Sequence, residues 1–423
     1  MSTLKVNKLR DTAGSADAIT LDPNGGAVLA GVTTVTSVKV GAAVTISESG
    51  IEATGVGITC ANINGTQIGG RRNIIINGAM IVAQRGTSST DSGYGSVDRF
   101  RVQHGGTDES PTQSQVDVAS GTTPYTLGFR KALRITNGNQ TGGAGATDSI
   151  HYEYYAEAQD IANSGWNYTS SSSFITLQFW IKSSVAQSFQ GRVRTRQGTS
   201  QNYPFETGSL TADTWTKIVK TIPGNSNLQF DNDTAKNFQI DIYGFYGTDY
   251  TSSGVSLNAW AAYASGTQVK DNTSTWYTTN DATLEITGVQ LEVGSQPTAF
   301  EHRSYGEEIA LCKRYYNKVY DVEGQSGEKP FLLGTYLNSS ELATVVQFDK
   351  MRGVPSLEVT NGSNKFMIRR DGASDNFDTF SMRYGTSTTA EIYVSSNVSG
   401  TAGQCGIIRG ADTDVYMAFS AEL

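Results

Sequence analysis

The chain has 423 residues, of which 32 are basic and 40 acidic, so its net charge is −8 at neutral pH. This length allows two or three domains, and the lack of a basic region argues against binding to nucleic acid. The start "MSTLKVNKLRDTAG" lacks the apolar core of a signal peptide, and no apolar run approaches the roughly 20 residues of a membrane helix. We therefore expect a protein that is not exported by the ordinary route and is not inserted into a membrane.

Residues 1–70 contain no aromatic side chain, and the first one in the chain is Tyr94. Because aromatic rings supply much of the area buried in compact cores, this segment is poorly equipped to build a core alone. Alternations such as Val38–Val40 and Val44–Ile46, separated by glycine-containing turns, predict short strands with one narrow apolar row each. Three identical chains would bury these rows along a shared axis, which predicts a fibrous β stalk in a homotrimer. A disordered leader is the alternative.

Residues 71–303 alternate apolar and polar side chains in a way typical of a β-sandwich. In "FITLQFWIKSS" the odd-numbered apolar residues from Ile175 to Ile181 face one side, and "NFQIDIYGFYG" and "KALRITN" repeat the pattern. The run "TLEITGVQLEV" changes phase at Gly288, which predicts a β-bulge in the last strand.

The next stretch, "SYGEEIALCKRYY", predicts a short linker helix over 304–316. It opens with Ser304 and Glu307 in the spacing of a capping box. Since so short a helix is not stable alone, it must pack on the base of the sandwich or on a neighbouring subunit. The residues predicted to share its apolar face are Ile309, Cys312 and Tyr316.

Residues 317–423 contain further short alternations, among them "KPFLLGTYLN", "ELATVVQFDKM", "NKFMIRR" and "DVYMAFSAEL". They predict a second, smaller β domain. The whole chain is thus predicted to be all-β apart from the linker helix.

Catalytic signatures are absent from the sequence: it has no G-x-S-x-G, no H-E-x-x-H, no phosphate loop and no dinucleotide fingerprint. Three histidines fit no triad order, and three distant cysteines suggest neither a zinc site nor a disulfide framework. We expect no enzymatic activity. A carboxylate pair for sugar hydrolysis stays open, because its spacing is set in space and not in sequence.

Aromatic side chains concentrate in the long polar stretch 247–278, where flat rings can pair with the C–H faces of sugars. We expect some of them to form a ligand surface and many to be ordinary core. The candidate glycan-binding aromatic residues are Tyr250, Trp260, Tyr263, Trp276 and Tyr277, with Trp180 on a sandwich strand.

Three arginines alternate in "GRVRTRQG", so Arg192, Arg194 and Arg196 point to one face. This row could bind acidic glycans. It could also be a solvated strand face paired with acidic residues next door, and we favour this second interpretation because exposed cross-strand charge pairs are common.

The run "RRNIIINGAMIVAQRGTSSTDSGYGSVDRFRV" (71–102) resembles the opening of a module in tail fibre or receptor-binding proteins of tailed bacteriophages, notably marine ones. "GVQLEVGSQPTAFEHRSYGEEIALCKRYY" resembles the end of the same module. "SSFITLQFWIKSS" and "LTADTWTKIVKTIPG" look like jelly-roll carbohydrate-binding modules, and "VQFDKMRGVPSLEVTNG" with the final "DVYMAFSAEL" looks like the distal domain of those fibres.

The resemblance implies a homotrimeric virion protein whose N-terminus attaches to other tail or adaptor proteins. It also implies a jelly-roll domain over 71–303, a receptor-binding tip over 317–423, and host adsorption through cell-surface polysaccharide or lipopolysaccharide. The two other functions left open are a tailspike depolymerase and a purely structural fibre or decoration protein. Similar jelly rolls often hold a structural calcium near an Asp of the last strand, where this chain has Glu292 instead.

Overall fold

The structure is a computed structural model that describes residues 72–325 and 328–423, together with the strands placed between residues 8 and 53. The chain separates into two compact units, 1–61 and 62–423, and each is described by itself.

The first unit contains two three-stranded antiparallel sheets, β1-β2-β3 and β4-β5-β6. Their strands are β1 (Lys8–Leu9), β2 (Ile19–Leu21), β3 (Ala27–Leu29), β4 (Ser37–Val40), β5 (Val44–Ser47) and β6 (Gly50–Ala53). The two alternations singled out in the sequence therefore are strands, and Val38 pairs with Ile46. The rest of the predicted stalk and virion-attachment segment over 1–70 lies outside the described residues, and its trimeric form stays a prediction.

The second unit begins with a two-sheet sandwich. Its strands are β7 (Ser88–Ser89), β8 (Phe100–Gly105), β9 (Thr112–Asp117), β10 (Lys131–Thr136), β11 (Ser149–Glu157), β12 (Phe174–Ser183), β13 (Ser188–Arg194), β14 (Gln201–Ser209), β15 (Thr216–Pro223), β16 (Lys236–Tyr246), β17 (Ala261–Ala262) and β18 (Thr283–Val293). Three single-turn helices lie between them: α1 (Thr123–Thr126), α2 (Ala158–Ala162) and α3 (Thr275–Thr278).

Sheet I has the order β15-β12-β18-β10-β9-β7, and sheet II has the order β17-β14-β13-β16-β11-β8. Their inner faces share one core, in which Ile175 and Leu177 of sheet I lie with Tyr152 and Ile240 of sheet II. Because strand side chains alternate, burying these rows leaves the intervening residues of sheet II on the opposite, outer face. The predicted all-β sandwich is confirmed in this form.

The predicted bulge lies at Gly288 of β18. The pairing of β12 with β18 shifts register between Gln178 and Trp180, opposite this glycine. Gly288 has φ +64°, and a Cβ there would lie 2.6 Å from the Phe129 ring. The position therefore requires glycine for both backbone conformation and space.

Helix α4 (Tyr305–Cys312) has the predicted capping box: the Ser304 hydroxyl accepts from the Glu307 N–H, and the Glu307 carboxylate accepts from the Ser304 N–H. It packs on Ile76 and Val82 at the base of the sandwich. The helix ends earlier than predicted, since Tyr316 is the first residue of a strand and does not lie on a helical face. No helix in the described part of the chain has the length and apolarity needed to cross a membrane.

The remaining strands form the C-terminal β domain. They are β19 (Tyr316–Asp321), β20 (Lys329–Asn338), β21 (Glu341–Gln347), β22 (Ser356–Val359), β23 (Phe366–Arg370), β24 (Ala373–Phe377), β25 (Ser381–Arg383), β26 (Thr389–Val394), β27 (Cys405–Gly410) and β28 (Tyr416–Ser420). They pair in a three-stranded sheet, β19-β28-β22, and a seven-stranded sheet, β24-β23-β27-β20-β21-β26-β25. The two sheets bury a second core that includes Phe366, Ile392 and Met417.

Polar and charged side chains join the sandwich to the segment that follows α4 and to the C-terminal domain. The buried Glu157 carboxylate accepts hydrogen bonds from Arg314 at 2.7 Å and 2.8 Å and from the Tyr315 hydroxyl at 2.6 Å. Arg99, fully buried, pairs with Glu422 at 2.5 Å. These contacts set the orientation of the two domains without a flexible linker.

Candidate functional site

The outer face of sheet II carries a line of charges across four strands. Arg101 of β8 lies opposite Glu153 of β11, Glu153 lies opposite Asp241 of β16, and Asp241 lies opposite Arg192 of β13. The signs are +, −, −, +, so each acid has one arginine beside it. Cross-strand neighbours at this spacing interact directly.

Both arginine–carboxylate pairs form salt bridges. Arg101 reaches Glu153 at 2.8 Å, and the Arg192 Nε donates to the Asp241 Oδ2 at 2.5 Å. Burial alone would raise the pKa of Asp241, but Arg192, His151 and donated hydrogen bonds hold it below its usual value. Burial, and then the nearby Asp241 charge, raise the pKa of Glu153. The pKa values of the two carboxyl groups are therefore shifted in opposite directions.

His151 lies between these acids and a group of tyrosines. Its ring centroid is 4.9 Å from that of Tyr243. Burial lowers the pKa of His151 to about 4, so the imidazole is neutral at physiological pH. Its buried Nδ1 has no hydrogen-bond partner among the described residues. A neutral ring nitrogen of this kind can accept from or donate to a hydroxyl group.

Tyrosines form the walls beside the charged line. Tyr243, Tyr246 and Tyr250 stack in series, with ring centroids 4.4 Å and 4.5 Å apart. On another side the Arg194 guanidinium lies 3.4 Å from the ring centroid of Tyr263. Stacked rings and a guanidinium held over a ring are stiff surfaces, because each fixes the rotamer of the other.

Except for Asp241 and Tyr243, which are buried, these residues line an open groove of about 470 Å³ on the outer face of sheet II. We call it the sheet II groove. Its volume lies within the range of about 300–1,000 Å³ that is usual for small-ligand sites, although it is shallower and more polar than most. Five of the predicted residues line it: Tyr250, Tyr263, Arg192, Arg194 and Arg196.

The three arginines of the row differ in their partners, so neither interpretation, acidic-glycan site or paired strand face, fits all of them. Arg192 is paired with Asp241, as the favoured interpretation expected, but the pair is buried and not solvated. Arg194 and Arg196 are half-buried and have no described carboxylate within salt-bridge distance. The favoured interpretation is therefore correct about the acidic partner of one arginine and wrong about the exposure of that pair.

Trp276 and Tyr277 require a correction, because the structure places both in the sandwich core. Trp276 is 0% exposed, and its Nε1 donates to the Thr283 carbonyl at 3.0 Å. Tyr277 is 1% exposed, and its ring stacks on Phe245 with centroids 4.4 Å apart. Neither ring has a free face for a sugar.

Trp260 and Trp180 also lie outside the groove. Trp260 is half-buried at the sandwich edge, where it packs on Tyr203 and its Nε1 donates to the Pro223 carbonyl at 2.7 Å. Trp180 is half-buried on the outer face of sheet I, in a cluster with Phe129. Their positions separate them from the groove tyrosines.

Sequence reasoning missed most of the groove floor. The lining residues that were not predicted include Arg101, His151, Glu153, Gln239 and Gln268. A signal for several of them was present, because the polar positions of β8, β11 and β16 alternate with core residues such as Tyr152 and Ile240.

The Glu153–Asp241 pair has features of a glycosidase acid–base pair. The potential ligand atoms of these two acids and His151 all lie within 4.8 Å, and retaining enzymes separate their carboxyl groups by about 5–5.5 Å. However, Asp241 is 0% exposed, and its carboxylate also accepts hydrogen bonds from Gln239 and from the Tyr243 hydroxyl. Asp241 thus has no access to a glycosidic carbon from the groove.

A bound metal fits neither of the two places considered for it. The cluster of His151, Glu153 and Asp241 already has a guanidinium on each carboxylate, which opposes a second cation. At the expected calcium position, the Glu292 carboxylate accepts from Gln290 at 2.8 Å and from the Thr298 N–H and hydroxyl at 2.8 Å and 2.5 Å. These hydrogen-bond donors occupy the positions around Glu292 where a calcium ion would need oxygen ligands.

No family model and no curated protein matches this chain. Among solved structures, it is similar to the enzymatically active domain of tailspike protein 4 of bacteriophage CBA120, with TM-score 0.27 and 10% identity over 52% of this chain and 21% of that one. It is also similar to the CBM22-1 xylan-binding domain of Paenibacillus barcinonensis Xyn10C (TM-score 0.26, 8% identity, 54% of this chain and 100% of that one). A putative sugar binding protein from Bacteroides thetaiotaomicron is similar at TM-score 0.26 and 11% identity, over 52% of this chain and 99% of that one.

Because these scores are low, the description of the fold rests on the sheets and cores themselves. The chain spans only about a fifth of the length of the tailspike domain.

Proposed function

We propose that this chain is a bacteriophage tail fibre protein that binds glycan on the host cell surface through the sheet II groove. The observation that carries the proposal is the groove itself, an open channel with tyrosine walls and a floor of fixed polar groups. Tyr250 and Tyr263 offer ring surface to the C–H faces of sugars, while His151 and Gln268 lie where hydroxyl groups would be bound. The sequence resemblance to phage fibres supplies the biological setting.

We also propose a homotrimer that attaches to other tail proteins through its N-terminus and acts on the virion, outside the host cell. A shallow groove binds weakly, and three copies per fibre raise the overall avidity. An exposed apolar patch on the C-terminal domain supports association: Leu333 is 74% exposed, Val345 60% and Ile407 40%. Leu333 pairs with Ile407, and all three line one surface depression. Such patches commonly mark interfaces.

We propose that the groove binds without cutting. The burial of Asp241 and the hydrogen bonds that it accepts support this choice over a depolymerase. The divergent acidities of Glu153 and Asp241 are the observation that favours the depolymerase. Incubating the protein with host polysaccharide and measuring new reducing ends decides between them.

The test of glycan binding uses host-cell adsorption and retention on immobilised host polysaccharide. Tyr250→Ala with Tyr263→Ala should weaken both by roughly tenfold or more, since an aromatic contact contributes about 0.5–1.5 kcal/mol beyond its area. Tyr384→Ala is the matched control, because Tyr384 is 79% exposed on the C-terminal domain. Unchanged adsorption in the groove variant would contradict the proposal and favour a purely structural fibre.

A further inference from the structure

The charges around the sheet II groove do not balance. Four arginines line it, Arg101, Arg192, Arg194 and Arg196, together with one acid, Glu153, while the second acid, Asp241, is fully buried behind the lining. The first two arginines are neutralised by Glu153 and Asp241. The other two are not, so the groove carries about two positive charges on a protein whose net charge is −8.

Neutral groups hold the two unpaired guanidiniums in place. Arg194 donates from Nε to the Ser200 hydroxyl at 3.1 Å, and its guanidinium lies 3.4 Å from the ring centroid of Tyr263. Arg196 donates from Nε to the Gln239 Oε1 at 3.0 Å and from one terminal nitrogen to the Tyr155 hydroxyl at 3.1 Å. These partners fix each guanidinium but leave its charge uncompensated.

This positive potential affects the pKa values of neighbouring basic groups. Burial, together with the adjacent Arg196 and Arg192, lowers the pKa of Arg194. Burial, together with Arg196 and Arg101, also lowers the pKa of Lys236, whose ammonium lies 5.0 Å from the Tyr155 ring centroid. An anion at this place would relieve the repulsion. Arginine is suited to the task, since its fork of donors matches carboxylate and sulfate oxygens.

We propose that the sheet II groove selects an acidic polysaccharide, with a carboxylate or sulfate substituent of the sugar chain bound between Arg194 and Arg196. This inference rests on the proposed glycan-binding function and specifies the class of glycan. The tyrosines contact the sugar rings, and the two arginines bind the negatively charged substituent.

The test compares polymers that share a sugar backbone and differ in their charged substituents. Polygalacturonate is compared with its fully methyl-esterified form, and dextran sulfate with dextran, by affinity electrophoresis of the full-length protein. We expect retention by a polyanion and at least tenfold weaker retention by its neutral counterpart. Retention by polygalacturonate assigns a carboxylate, and retention by dextran sulfate alone assigns a sulfate.

Two variants test the residues. Arg194→Gln with Arg196→Gln should weaken binding to the acidic polymer by about tenfold per lost guanidinium contact. Arg194→Lys alone keeps the charge and should lose less. Arg369→Gln is the control, because Arg369 is an arginine of the C-terminal domain with a side chain 52% exposed. Thermal melting of each variant shows whether it is folded.

Equal retention by the charged and neutral polymers, or equal loss in Arg369→Gln, would overturn the inference but leave the glycan-binding proposal in place. Retention by neither polyanion would also overturn it. If in addition host polysaccharide fails to bind, the proposed function falls with it.

Discussion

Replacing Asp241 by Asn should destabilise the sandwich far more than its small change in shape suggests. Asp241 is 0% exposed and neutralises Arg192, whose side chain is only 4% exposed. The variant leaves the guanidinium buried without its counter-ion, while the Gln268 Oε1 remains as a neutral acceptor. Removing one partner of a buried ion pair costs about 3–5 kcal/mol.

Differential scanning calorimetry measures this cost. For a domain of this size, 3 kcal/mol corresponds to a fall in Tm of about 6–12 °C. Glu328→Gln is the matched control: Glu328 pairs with Arg409 at 2.8 Å, but its side chain is 35% exposed. Such a surface pair contributes about 0–1 kcal/mol.

A double-mutant cycle separates the pair from the single groups. Arg192→Met combined with Asp241→Asn should cost at least 1–2 kcal/mol less than the sum of the two single variants, about the coupling expected for contacting groups. If Asp241→Asn melts like Glu328→Gln, the groove floor is not the rigid ion-paired platform described above.

Three further predictions address other parts of the molecule. On acidification from pH 6.5 to pH 4, the His151→Gln variant should lose about 3 kcal/mol less stability than the wild type. Burial lowers the pKa of His151 to about 4, so over this pH range the unfolded wild-type chain gains a proton that the folded chain does not accept. Urea unfolding at both pH values measures the difference, and an identical acid dependence in wild type and variant would contradict it. Gly288→Val should cost about 3 kcal/mol in urea unfolding, since φ is +64° and the Phe129 ring occupies the space of a side chain; a cost below that of an exposed substitution would refute the bulge. Leu333→Asp should raise the dissociation constant of the proposed trimer, measured by sedimentation equilibrium, by about tenfold or more, while Tyr384→Asp leaves it unchanged; a wild-type chain that sediments as a monomer would contradict the proposed trimer.

Local patterns predicted the fold well where each signal depends on nearby residues. The alternation from Ile175 to Ile181, the change of phase at Gly288 and the capping box at Ser304 each match an observed element. The end of α4 was not predictable in this way. Tyr316 leaves the helical pattern because it pairs with Ser420, a contact across the whole C-terminal domain.

The site was harder to predict because burial of an aromatic ring depends on its partners. Trp276 and Tyr263 lie in the same polar stretch, yet one is core and the other lines the groove. The difference comes from Gly244, where a Cβ would lie only 2.7 Å from the Trp276 indole. Without a side chain there, β16 makes room for the ring. No spacing within 247–278 carries that information.

Hydrogen–deuterium exchange with and without host polysaccharide tests most directly whether glycan binds in the sheet II groove. We expect slower exchange in β11, β13 and β16 and around Tyr250 and Tyr263, with exchange in the C-terminal domain unchanged. Protection confined to the C-terminal domain would place the receptor site there and contradict the account.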